Sequence, residues 1–557
     1  MRRTSLTLAW LGVLVALGAL GSVPVALNAQ TVGNYTPPSG FVPPENQLIP
    51  LGTTKGESYG RLVIQNAMVV SGRGSPRSNR SMPPEGPVDI IIEDGRIVDI
   101  ILVDAVNLGG GSYERVTGDR VIDAQGMYVL PGLVEMHAHL PSEESMNGYG
   151  PEYAYRLYLG HGITTVRDAG TGAGLDFMTQ QREASARNEF PAPRLVLCQR
   201  WPLPLRRWNV GNTPERAREQ VRLFQEMGAD CVKISRSPGQ YPDVLEAAVS
   251  EANLLGMHVM VDLKVSESDA LVASHAGVRS IEHWYGVPDA ALPHTQNFPP
   301  DYNYWDELKR FRWAGELWSE AAKYPERLDA VLDTMVMNGT NWDPTMVVYE
   351  DFRDWGREMT MPWRETLIMP QILDEFGPDS TSHGSFKTEW KTSDEVRWRK
   401  NFGIWMDNVR SFHEKGGLLT AGSDAGPVGG LYLIRELEMM QEAGINPIDI
   451  IRIATTNAYR ALGMDKDGYC GIRVGCRADL AVVDGNPIDN LKVMYGRGYG
   501  FYAIKPRAEQ MNYGGVAYTI KDGIVFDAKA LLQEVEWLVK REKERIGREA
   551  TQQGGGG

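Results

Sequence analysis

Short runs of apolar and β-branched residues recur through the middle of the chain: Leu133 to Met136, Thr164 to Arg167, Leu195 to Cys198, Cys231 to Ile234, Val259 to Leu263, Ser280 to Glu282, Met346 to Tyr349 and Leu418 to Ala421. Runs of this length between glycine and polar residues read as buried strands. Between them the period becomes helical. Before the fourth run, Thr213 can cap, Pro214 suits a first turn, and Ala217, Val221, Phe224 and Met227 form an apolar stripe. This alternation predicts an α/β fold, a parallel (β/α)8 TIM-like barrel.

Outside that region the texture changes to strand, turn, strand. Arg61 to Val70 and Val88 to Ile92 are separated by a Gly/Ser/Pro/Arg loop, and Glu93-Asp94-Gly95-Arg96 turns into Ile97 to Val103. Gly475 to Asp484 and Val516 to Phe526, with Lys521-Asp522-Gly523 as a turn, repeat the pattern near the other end. Glu436 to Leu462 is helical in pattern. Lys529 to Ile546 predicts a last helix with Leu532, Val535 and Leu538 on one side, docked on the chain's own β-domain, before a disordered glycine tail.

Charge narrows the partners. With 57 basic and 71 acidic residues the net charge is −14, which argues against nucleic acid and leaves a small molecule or short peptide as the expected partner. Arg2 and Arg3, the apolar stretch Leu8 to Leu20, and Ala26 and Ala29 have the layout of a signal peptide cleaved near Gln30. An uncleaved anchor would share that layout, although the stretch falls short of the ~20 residues that span a bilayer. The expected location is secreted or periplasmic, with no membrane span after cleavage; a homo-oligomer is compatible with the sequence. In an oxidising compartment Cys470 and Cys476 could pair across a hairpin, and Cys198 and Cys231 would lie on neighbouring strands; the alternative is buried free thiols.

Several runs end in metal-binding residue types. His137 and His139, two apart in an extended segment, project to the same side and can grip one ion. Lys233 in GADCVKIS, His283 in SIEHWY and Asp424 in LLTAGSD follow in order. All fall at the C-terminal ends of strands, where such barrels do their chemistry.

That series resembles the amidohydrolase superfamily, and most closely its imidazolonepropionase-like and Xaa-Pro dipeptidase (prolidase)-like branch. The resemblance runs from about Arg61 to Asp527 and implies a domain plan. It comprises a signal peptide (1–29), a linker (30–57), the first part of a β-sandwich (58–125), the barrel (126–465), the second part of the sandwich (466–527), and a helix with a tail (528–557). It implies one or two divalent metal ions, zinc first with manganese or iron as alternatives, held by His137, His139, Lys233, His283 and Asp424. In relatives with the GAD-x-x-K-I pattern the lysine is carboxylated and bridges two metals; otherwise Lys233 is a cation paired with Asp424 or Asp262. Asp424 would also be catalytic, taking a proton from the attacking water and passing it to a departing amine.

One position breaks the family pattern. Where relatives usually carry a histidine at the end of the fifth strand, this chain has Asp262, and His258 lies four residues earlier, ~13 Å toward the opposite rim. Asp262 can ligate through oxygen and tilts the site toward harder ions; alternatively the second metal position is weakened.

The expected function is metal-dependent hydrolysis of an amide-like C–N bond in a dipeptide or N-acyl amino acid. The alternatives are a catalytically impaired, ligand-binding barrel, or a hydrolase of cyclic amides or esters. Arg200 and Tyr285 are substrate-binding candidates. Ten of the fourteen tryptophans lie between Trp284 and Trp405, around insertions at about 286–330 and 350–400; they form either an aromatic lid over the mouth or the packing that fixes the insertions.

Overall fold

The computed structural model describes residues 48–74, 80–104, 115–141, 150–170, 172–201, 212–235, 240–264, 268–293, 309, 311, 316–361, 363–375, 390–497 and 514–554. The expected signal peptide, the linker as far as residue 47, and Trp305 and Trp313 lie outside them. No helix among the described residues is long and apolar enough to cross a membrane.

Five strands come first: Arg61–Val69 (β1), Glu85–Glu93 (β2), Arg96–Leu102 (β3), Arg120–Asp123 (β4) and Met127–Pro131 (β5). The barrel strands follow as Leu133–Ala138 (β6), Ile163–Asp168 (β7), Arg194–Trp201 (β8), Cys231–Ile234 (β9), His258–Val261 (β10), Ser280–Glu282 (β11) and Asn341–Asp343 (β12). Leu480–Asp484 (β13), Gly515–Lys521 (β14) and Ile524–Asp527 (β15) close the series.

The two ends of the chain share one mixed sheet, ordered β15-β14-β13-β5-β1-β2-β3 with β4 beside β1. Its inner residues, among them Leu62, Ile90, Ile97, Val129, Leu480 and Ile520, pack as one cluster. The sheet folds back on itself there, since Ile97 N–H donates to Cys476 O at 2.9 Å and Gly475 N–H to Ile97 O at 2.8 Å.

The second sheet is parallel, in chain order from β6 to β12. It closes through residues 418–424. Trp342 N–H donates to Leu418 O at 3.0 Å, Met136 N–H to Ala421 O at 3.1 Å and Asp424 N–H to His137 O at 2.8 Å. Alternation along each strand sends Val232, Ile234, Val259 and Val261 outward against helices and leaves Cys231, Lys233, His258 and Met260 facing in.

The seventh strand is a correction. Met346–Tyr349 is a 3-10 helix, and the strand is Asn341–Asp343. Thr345 at φ 45° breaks the extended path. Val347 N–H then donates to Glu436 at 2.7 Å in place of a ladder partner, so the apolar run is buried without joining the sheet.

Thr213 caps Pro214–Glu226 as expected, accepting from Arg216 N–H. The last helix is Ala528–Gly554. It docks on the barrel helix Pro151–Gly160 as well as on the β-domain: Leu532, Val535 and Val539 meet Tyr153 and Leu157, while Leu531 meets Phe526. Cys198–Cys231 and Cys470–Cys476 are disulfides; the first joins residues in register on β8 and β9. Trp284, Trp318, Trp342, Trp398 and Trp405 are fully buried, so these rings fix the insertions to the barrel.

Candidate active site

The site is built on a buried charged layer inside the barrel. Glu135, in the middle of β6, accepts from the N–H groups of His137 at 2.9 Å and Ser423 at 2.8 Å, tying β6 to the closing segment. Burial pushes its carboxyl up to about 8. Arg167 on β7 donates through Nη2 to both oxygens of Glu282, at 3.0 and 2.9 Å, and through Nε to Met136 O at 2.6 Å. Asp343 lies 3.4 Å from the same Nη2. Buried charges persist only when paired and hydrogen-bonded; Arg167 and Glu282 meet that condition, while Glu135 Oε2 and Asp343 Oδ1 are buried without a partner among the described residues.

Above it, the predicted site residues converge. His137 Nδ1 lies 2.8 Å from Glu282 Oε2, so Nδ1 carries the proton and the Nε2 lone pair faces the mouth. His283 Nδ1 is 2.6 Å from Thr345 Oγ1, and His139 Nδ1 is 3.3 Å from Gly170 O. The three Nε2 atoms surround Asp424. Oδ1 is 3.2 Å from His139 and 3.5 Å from His137, and Oδ2 is 3.7 Å from His283. Lys233 Nζ is 3.2 Å from His137 Nε2. Asp262 Oδ2 is 2.8 Å from Lys264 Nζ and 3.5 Å from His283 Nε2, while its Oδ1 is buried without a partner among the described residues.

Burial sets the protonation states, and neighbours modify them. Burial, reinforced by Lys233, holds His137 well below the usual imidazole range, and burial lowers His139 too. Burial brings Lys233 down to about 8 against the pull of Asp262 and Glu282. Asp424 is held well below the ordinary carboxylate range: burial opposes this, but the imidazoles of His137, His139 and His283 prevail. Asp262 is likewise depressed, with burial opposing and Lys264 and His283 prevailing.

Local backbone is strained where these groups are aimed. His283, Thr345 and Asp424 have φ of 62°, 45° and 52°, a region that favours glycine. Gly422 is required by close approach, since a Cβ there would lie 2.6 Å from His137 Cβ and 2.7 Å from Asp343.

The remaining candidates sit at different depths. Arg200 is exposed at the rim, its Nη2 donating to Gly170 O at 3.1 Å and lying 3.4 Å from His139 Nδ1. Tyr285 is buried behind His283, edge-on at 6.0 Å between ring centres. His258 lies in the barrel floor beside the Cys198–Cys231 disulfide. Glu135, Arg167, Glu282 and Asp343 were not anticipated; the available signal was a charge at an inward position of an otherwise apolar run.

A cavity of about 640 Å3 lies at the other end of the barrel, against the mixed sheet. Its charges are already committed: Arg194 to Asp479 at 2.5 Å, Arg182 to Asp230 at 2.8 Å, and Lys521 to Ser185 and Ala192 at 2.8–2.9 Å. The convergent, strained cluster is therefore the candidate site.

A parallel barrel gathers histidines and carboxylates at the C-terminal ends of its strands. The chain belongs to the amidohydrolase family, whose model matches residues 128–295 and 403–525, just over half of the chain. Members of that family typically depend on a divalent metal. An adenine deaminase of Geobacillus kaustophilus is 38% identical over 88 residues, covering 14% of this chain and 14% of the deaminase. The chain thus aligns with only a small part of that relative. Two solved structures share the fold. A Xaa-Pro dipeptidase with bound methionine in its active site is 19% identical, covering 84% of this chain and 100% of the other at a TM-score of 0.54. A bottromycin amidohydrolase is 17% identical, covering 86% and 90% at 0.57.

Proposed function

We propose that the protein is a metal-dependent hydrolase that cleaves an amide-like C–N bond in a small substrate, a dipeptide or an N-acyl amino acid. The observation that carries this reading is the convergence of His137, His139 and His283 on Asp424, with the Nδ1 of each ring engaged by Glu282, Gly170 O and Thr345 respectively. The deaminase, dipeptidase and amidohydrolase among the similar proteins support C–N chemistry.

The donor set fits a divalent cation. Nitrogen and oxygen atoms of His137, His283 and Asp424 lie within 4.8 Å of one another, and the orphaned Asp262 Oδ1 adds an oxygen donor aligned with none of the protein's own groups. These residues with His139 would hold the ion; Lys233, its ammonium weakened by burial, would join as a carbamate formed with carbon dioxide. Zinc suits the imidazoles, and manganese or iron suits the added carboxylate. A bound ion supplies Lewis acidity and brings the pKa of water from ~15.7 toward 7.

The chain's own groups do the rest. Asp424, ionised at the outset, accepts the proton of the attacking water and returns it to the departing nitrogen. Glu282 keeps the Nδ1 proton on His137, and Arg200 at the rim is placed to meet a substrate anion. Tyr285 supports His283 from behind. The arginine-led N-terminal leader supports action outside the cytoplasm.

A screen of N-acyl amino acids and dipeptides with product analysis tests the reading. Release of free amino acid by wild type and its loss in Asp424→Asn is expected. No C–N cleavage across the panel, or unchanged cleavage by the variant, would overturn it.

A further inference from the structure

Beside Asp424 the rim opens into a pocket that the proposed chemistry has not yet used. Much of its lining is aliphatic: Val347, Ile368, Ile372, Leu373 and Val428 line it together with Asp424. Val347, Ile368, Ile372 and Val428 are buried in the protein's own packing, which makes the wall rigid. The volume of about 100 Å3 is several times what one water needs.

Arg364 also lines the pocket. Its side chain is 15% exposed, and its ion pair, through Nη1, is with the exposed Glu365 at 3.3 Å. Glu365 is shared with Lys543 Nζ at 2.8 Å. The Nε of Arg364 is buried without a partner among the described residues. A buried donor left unmade is costly, and a planar guanidinium is suited to a carboxylate. Asp351 also lines the pocket, but it is already engaged.

We infer that this pocket is the subsite for the leaving half of the substrate, an α-amino acid with a branched aliphatic or aromatic side chain whose free carboxylate meets Arg364. The assignment rests on Asp424 delivering the proton to the departing nitrogen: the amine side of the scissile bond must then lie next to Asp424, and the adjoining space is this pocket. The aliphatic wall takes the side chain, and Arg364 takes the carboxylate. Substrates would be N-acyl derivatives or dipeptides ending in an apolar residue. Residues 364–373 belong to the second insertion, so the specificity is a property of this chain's own excursion.

Titration calorimetry of the full-length protein with L-leucine, glycine and L-leucinamide reads the pocket without turnover. Leucine should bind about tenfold more tightly than glycine, from burial of its side chain, and more tightly than leucinamide. Arg364→Met should remove the preference for leucine over leucinamide while keeping that over glycine. Leu373→Ala should reduce the preference over glycine while keeping that over leucinamide, and Asp351→Asn should leave both in place. Equal binding of leucine and glycine, equal binding of leucine and leucinamide, undetectable binding of leucine, or an Arg364→Met variant that melts like wild type and keeps its preference would each overturn the inference. If the binding preferences hold but N-acetyl-L-leucine is not hydrolysed, the reaction proposed above fails and the subsite stands.

Discussion

His137 Nδ1 and Glu282 Oε2 lie 2.8 Å apart at the top of the barrel interior, and the Arg167 guanidinium grips the same carboxylate from below. A ring oriented in this way presents Nε2 with its lone pair outward, and outer partners of this kind typically account for 10–100-fold in metal affinity. Glu282→Gln cannot satisfy both neighbours, because its amide NH2 would face either Arg167 or the Nδ1 proton. Metal affinity measured by chelator competition should fall by roughly that 10–100-fold factor, and unchanged affinity would remove Glu282 from the account.

Asp262, just past β10, lies 3.5 Å from His283 Nε2. Asp262→Ala should lower metal stoichiometry, and Asp262→His should move the preferred ion toward zinc, since imidazole suits zinc and carboxylate suits harder ions. Metal content and ion preference by elemental analysis check both. Should neither change in either variant, the site is held by His137, His139, His283 and Asp424 without it.

Glu436 makes stability depend on pH. Burial pushes its folded carboxyl up to about 8 from the ordinary 4.5. Between those values the folded state keeps a proton that the unfolded state has lost, so stability falls as pH rises through that window. Thermal melts at pH 5 and pH 8.5 should therefore show a larger drop for wild type than for Glu436→Gln, by a few degrees. Glu135, raised to about 8 for the same reason, leaves a residual slope in the variant. Identical slopes would contradict the assignment.

The two disulfides should differ in effect. Cys198 and Cys231 are 33 residues apart, whereas Cys470 and Cys476 are 6 apart. Loop-closure entropy assigns about 4 kcal/mol to the first and about 2 kcal/mol to the second. Denaturant unfolding of the paired Cys→Ala variants should rank in that order, and the opposite order would show that strain or packing outweighs loop length.

The residues that converge in the candidate site were legible because each closes an apolar run, and strand ends are where parallel barrels place their chemistry. The layer beneath them was not. Glu135, Arg167, Glu282 and Asp343 stand inside or at the ends of short strands, and the pairs Arg167–Glu282 and Arg167–Asp343 join different strands, so a linear reading sees only an isolated charge. The seventh strand was misplaced for a related reason. Asn341–Asp343 is too short and too polar to register as a strand, while Met346–Tyr349 is apolar because it packs beneath the helix Gly429–Glu442. Tryptophan density marked the insertions, but only the contacts of Trp284 with Trp398 and Trp405 assign those rings to packing.

The most direct test of the account is the metal content of the purified protein read alongside hydrolysis of N-acyl amino acids, before and after chelation and after readdition of a divalent ion. The protein should carry about one to two equivalents of metal per chain, lose hydrolysis with the metal, recover it on readdition, and lose both metal and hydrolysis in His137→Ala. Undiminished hydrolysis by metal-free protein would contradict it.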